Sequence, residues 1–104
     1  MSAIVHMVMW RLNGATPAER RAQADRVVQA FEAARSQIPG LLRMEIGGNM
    51  IDSLPDAWDL ALSMVFASRA DLEAYNAHPA HRQIKTLMGS MRLARCQVDF
   101  EMPA

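Results

Sequence analysis

Apolar and polar positions divide the chain into segments of recognisable period. Ala3 to Leu12 (AIVHMVMWRL) is apolar on both parities, with Ile4, Val8, Trp10 and Leu12 on one and Val5, Met7 and Met9 on the other. That is the pattern of a strand covered on both faces. Thr16-Pro17-Ala18-Glu19 supplies a Thr N-cap, Pro at the first helical position and Glu at the third, which predicts a helix start. Ala24, Val27, Val28, Phe31, Ala34 and Ile38 then recur at helical spacing, and Pro39-Gly40 ends the run. Leu41 to Ile46 alternates Leu42, Met44 and Ile46 against Arg43 and Glu45, a half-buried strand suited to a sheet edge.

Asn49 to Asp56 reads as a loop, and Ala57 to Phe66 (AWDLALSMVF) as a second central strand interrupted only by Asp59 and Ser63. Ser68-Arg69-Ala70-Asp71 caps a short helix that carries Leu72 and Tyr75. Pro79 interrupts it, because the residue before a proline leaves helical geometry, and a new helix restarts there. Arg95 to Met102 alternates cleanly, with Cys96, Val98, Phe100 and Met102 expected inward and Arg95, Gln97, Asp99 and Glu101 outward.

The order strand, helix, strand, strand, helix, strand is the split βαβ arrangement. It predicts an α+β, ferredoxin-like βαββαβ fold with helices on one face of a four-stranded antiparallel sheet. The other face is then uncovered, yet both central strands are apolar on both sides. Such a patch exceeds what a monomer usually exposes, so a homodimer with the bare sheet faces together is expected.

Composition narrows the partners. With 104 residues the chain suits one domain, residues 1–104, and 51% hydrophobic against 21% charged residues excludes disorder as a reading. Eleven Lys+Arg balance eleven Asp+Glu. The chain therefore lacks the positive excess that nucleic acid or an anionic membrane surface demands. No apolar run approaches the length of a membrane span. Cys96, the single cysteine, and an N-terminus without the pattern of an export signal favour a reducing cytoplasm.

Chemistry concentrates in a few positions. His6 shares parity with Ile4, Val8 and Trp10, so its imidazole must be hydrogen-bonded within the core, catalytic, or both. His81 falls in the first turn of the restarted helix, where the positive end of the dipole keeps the ring neutral and able to act as a base. His78 reads as a cap or loop lock. His78 and His81 have a metal-compatible spacing but no evident third ligand, so no metal is assigned. Gly47-Gly48 follows a strand but leads into no helix, unlike a phosphate loop. Cys96 reads as a small core residue. Met7, Met9, Met44 and Met64 read as core positions that also suit an adaptable apolar pocket.

Val5-His6-Met7-Val8-Met9-Trp10-Arg11, Ile38-Pro39-Gly40-Leu41, Asp56-Ala57-Trp58-Asp59-Leu60-Ala61-Leu62 and Tyr75-Asn76-Ala77-His78-Pro79-Ala80-His81 together resemble the stress-responsive A/B barrel (Dabb) family. The resemblance spans essentially the whole chain and implies a dimeric α+β barrel. It also implies candidate catalytic residues. A plant polyketide cyclase of the family works without cofactor, using a histidine base that corresponds to His81 and a tyrosine that corresponds to Tyr75, with a first-strand histidine at His6. Its further cavity histidine on the third strand falls at Leu60 here. Three readings follow: a small apolar or carbonyl-containing ligand handled by cofactor-free acid–base chemistry, a non-catalytic ligand-binding or structural homodimer, and a cofactor-free monooxygenase.

Overall fold

The computed structural model of the chain describes residues 2–51 and 54–103. The expected loop at Asn49 to Asp56 includes Asp52 and Ser53, which lie outside the described residues. Four strands, β1 (Ile4–Leu12), β2 (Leu41–Gly48), β3 (Leu60–Phe66) and β4 (Arg92–Glu101), form one sheet. Three helices, α1 (Pro17–Ala34), α2 (Arg69–Asn76) and α3 (Pro79–Met88), lie between them in sequence. The sheet order is β2-β3-β1-β4 with all neighbours antiparallel, the ferredoxin-like βαββαβ arrangement. Among the described residues no helix is long and apolar enough to cross a membrane.

Local chemistry sets the helix ends. The Thr16 hydroxyl accepts from the Glu19 amide at 3.1 Å, and the Glu19 carboxylate accepts from the Ala15 amide at 2.8 Å. These bonds satisfy amides that the first turn leaves unpaired, at about 1 kcal/mol for such a cap. α1 buries Ala24, Val27, Phe31 and Ala34 against the sheet, and a short 3-10 turn over Arg35–Gln37 leads out of it. Gly40 takes φ +76°, and a Cβ there would collide with the Asp71 side chain at the start of α2. Only glycine fits both demands. Ser68 caps α2 by accepting from the Asp71 amide, and Pro79 begins α3 in the position a proline tolerates best.

The core lies between the helices and one sheet face, where Val8, Trp10, Leu62, Met64 and Phe66 meet Val27, Phe31, Leu72 and Ile84. Met44 and Met64 are buried there as expected, whereas Met7 and Met9 point to the opposite face and are exposed.

Three strand expectations need correction. Leu42 is not inward: it is 64% exposed. The register steps from Leu41↔Phe66 to Arg43↔Val65, so Leu42 is the extra residue of a bulge and loses its place in the alternation. β3 begins at Leu60 rather than Ala57, and Asp59 just before it places its carboxylate on the Leu12 amide at 2.8 Å and the Arg20 guanidinium at 3.3 Å.

β4 alternates with the opposite sense to that expected. Residues paired across antiparallel strands share a face. Val98 pairs with Met7, Cys96 with Met9 and Phe100 with Val5, so these side chains lie on the face away from the helices. Val98 is 62% exposed and Cys96 is exposed too, so the thiol is not a core residue. Met102 follows the strand and is also exposed. Arg95, Gln97, Asp99 and Glu101 instead share the helix-side face with Trp10, Val8, His6 and Ile4.

Candidate functional site

β1, α2 and α3 bring His6, Tyr75 and His81 to one cavity of about 270 Å³ between the sheet and the helices. The Tyr75 ring lies centrally, its centroid 4.7 Å from that of His81 and 6.1 Å from that of His6. Phe66 backs it at 5.4 Å. Val8, Trp10, Phe31, Leu62, Ile84 and Met88 make the walls apolar. The β3 side chain that reaches this cavity is Leu62, while Leu60 is buried in the core outside it.

His6 is buried, and its Nδ1 sits 2.5 Å from Asp99 Oδ1. A carboxylate only accepts, so Nδ1 carries the proton and Nε2 is the nitrogen left for another partner. The second Asp99 oxygen accepts from Gln97 Nε2 at 2.7 Å. Sequence reading missed Asp99 because it placed polar β4 positions in solvent. The usable signal was the strand pairing: a carboxylate that pairs with an apolar-face histidine shares its face.

His81 is half-buried, and its Nδ1 lies 3.1 Å from the Asn76 carbonyl oxygen. A carbonyl also only accepts, so Nδ1–H donates and Nε2 keeps a lone pair. Burial holds the His81 ring below its ordinary pKa, the Asn76 bond partly opposes this, and the Lys85 and Arg95 charges add to the depression. The ring is therefore neutral near pH 7. Burial pushes the Tyr75 phenol up, with Arg95 opposing, so it stays a donor. Among the described residues none hydrogen-bonds the Tyr75 hydroxyl, although the ring is buried.

His78 takes a different job. Its Nδ1 accepts from the Ala80 amide at 3.0 Å, which makes it the cap of α3. It does not line the cavity, and among the described residues no three His, Cys, Asp or Glu side chains gather where a metal ion would bind.

The fold recurs in solved structures. A dimeric ferredoxin-like protein from Bacteroides fragilis is 25% identical, with a TM-score of 0.85 and 98% of each chain covered. A second dimeric ferredoxin-like protein, from Thermobifida fusca, is 24% identical with a TM-score of 0.82, covering 97% of this chain and 92% of that one. The hydroxynitrile lyase of Passiflora edulis superposes with a TM-score of 0.78 at 13% identity, covering 98% of this chain and 94% of the lyase, a likeness of fold alone. No curated protein matches the chain in sequence. The family model for the stress-responsive A/B barrel domain matches residues 4–102, nearly the full length, and the chain belongs to that Dabb family.

Proposed function

We propose that the chain binds a small carbonyl-containing molecule in this cavity and moves a proton on it without a cofactor, with His81, Tyr75 and His6 as the catalytic residues. The observation that carries this reading is the convergence of the three side chains on one cavity with apolar walls, where, among the described residues, one ring nitrogen of each histidine and the phenol between them have no partner.

In this reading His81 Nε2 removes a proton from the carbon next to the carbonyl. The Tyr75 hydroxyl hydrogen-bonds the oxygen on which negative charge develops, in a site whose apolar walls strengthen that bond. His6, held by Asp99, orients the carbonyl or a water through Nε2. One protein that shares the fold, from Passiflora edulis, is a hydroxynitrile lyase, which is in keeping with small-molecule chemistry here.

The experiment is exchange of α-protons from 2-pentanone into D2O, followed by NMR. Catalysed exchange that falls to the buffer rate in His81→Ala supports the reading, and undiminished exchange in that variant removes the assigned base. General base catalysis contributes roughly 10²–10⁴-fold, which is the loss expected.

The working unit is a homodimer. Met7, Met9, Val98 and Phe100 stand exposed together on the helix-free sheet face, and both dimeric relatives share the fold over nearly the whole chain. An exposed free thiol, Cys96, on that face fits a reducing cytoplasm.

A further inference from the structure

The mouth of the cavity is lined by Lys85 at the end of α3 and by Arg92 and Arg95 on β4, and among the described residues no carboxylate lines the cavity. This imbalance stands out in a chain whose charges cancel. Arg20, Arg35, Arg43 and Arg69 each pair with a carboxylate, at Asp59, Glu32, Glu45 and Glu73. Among the described residues Lys85, Arg92 and Arg95 have no ion pair. Arg95 is paired in register with Trp10, which directs it to the helix side of the sheet and toward the cavity.

We propose that the cavity selects a small monocarboxylate: its carboxylate is held at the mouth by Arg92 and Arg95, and its carbonyl lies deeper, beside Tyr75 and the two histidines. This rests on the small-molecule reading above and adds the substrate class. Lys85 lies in the last turn of α3, where its charge first answers the negative end of the helix dipole. Two guanidinium forks then remain for the ligand, enough for one carboxylate, which arginine binds in bidentate geometry. The mouth offers the carbonyl end of a helix rather than amide donors, so a phosphate dianion finds no backbone cradle there. The cavity, at about 270 Å³, stands at the small end of ligand sites. A short 2-oxo or 3-oxo acid fits these limits, with its chain against Trp10, Phe31 and Ile84.

The test is calorimetric titration of the full chain with 2-oxobutanoate, 2-oxohexanoate and 2-oxooctanoate, each beside its methyl ester, and with inorganic phosphate. The best acid is expected to bind about tenfold or more tightly than its ester, the scale of a charge-assisted pair. Arg92→Gln combined with Arg95→Gln removes that advantage, bringing the acid to about the affinity of its ester; both positions are exposed, and a melting curve of the variant checks the fold. Equal binding of acid and ester, or an acid unaffected by the double variant, overturns the carboxylate assignment while the small-molecule reading stands. Tighter binding of phosphate than of every acid also overturns it. If neither acids nor esters bind at any chain length, the underlying reading falls as well.

Discussion

His6 on β1 and Asp99 on β4 face each other across the strand pair, with imidazole Nδ1 and carboxylate Oδ1 2.5 Å apart. Register puts them there: both belong to the helix-side face, and Gln97, two residues earlier on that face, holds the other carboxylate oxygen. The pair fixes the tautomer of a buried imidazole, since removing the acceptor lets the Nδ1 proton relocate. Asp99→Leu removes both acceptor oxygens while filling about the same space. It is expected to cost about 1–3 kcal/mol in urea unfolding, the scale for a lost bond to a buried group. The His6 ring nitrogens should also lose their single-tautomer pattern in long-range 15N–1H spectra. An unchanged tautomer in a folded variant rejects Asp99 as the positioning residue.

How far the site was legible in the sequence follows from the same strand. Alternation along β4 shows that its two faces differ, but it carries no label for the core. The helices pack over β1, β2 and β3 and scarcely reach β4, so its helix-side positions are wet enough for Arg95, Gln97 and Asp99. Its apolar positions serve the opposite face. Central strands have no such ambiguity, and β1 and β3 were readable from their two-sided apolarity. Helix caps at Thr16, Ser68 and His78 were readable because they depend on neighbours within a few residues. The Leu42 bulge and the Asp59 tether depend on partners far along the chain, which periodicity does not encode.

The pH dependence of stability follows from His81. Its pKa in the folded chain lies below the ordinary 6.5, chiefly through burial. In the window between the two values the unfolded chain binds more protons than the folded one, so stability rises with pH there. This contribution is fully present above pH 6.5 and is lost as pH falls through the lowered folded value. Urea unfolding from pH 7.5 down to 5 should show a steeper decline for the native chain than for His81→Gln. Parallel curves reject the depressed pKa. If His81 is the base, the α-proton exchange rate gains its acidic limb below 6.5 as well.

The uncovered sheet face gives a prediction about assembly. Burying Met7, Met9, Val98 and Phe100 against their copies favours association by about 25 cal/mol per Å² of apolar surface removed from water. Val98→Asp puts a charge in the middle of that face without touching the core. Light scattering at micromolar concentration should find a dimer for the native chain and a monomer for the variant. A monomeric native chain contradicts the proposed unit.

Gly40 tests the turn between α1 and β2. Its φ of +76° strains any residue with a Cβ, and the Asp71 side chain already fills the space a Cβ needs. Gly40→Ala should therefore lose about 1–3 kcal/mol, the range for a strained backbone position. Gly47→Ala provides the control, because nothing lies within 4 Å of a Cβ built there. Equal loss in both variants rejects the steric account.

Tyr75 separates a chemical role from a structural one, because its ring and its hydroxyl do different things. The ring is buried among Phe66, His6 and His81, so Tyr75→Ala should cost about 3–5 kcal/mol, as for other large aromatic truncations in a core. The hydroxyl bonds no described residue, so Tyr75→Phe keeps every ring contact and breaks no internal bond. Its unfolding free energy should stay within about 0.5 kcal/mol of the native value, the usual limit for changes outside such interactions. If the phenol donates to a developing oxyanion, the same variant loses about 10²-fold or more in α-proton exchange, the scale for one such donor. A large stability loss with unchanged exchange makes Tyr75 a packing residue, and the proton-transfer reading then loses the hydroxyl donor it places between the two histidines.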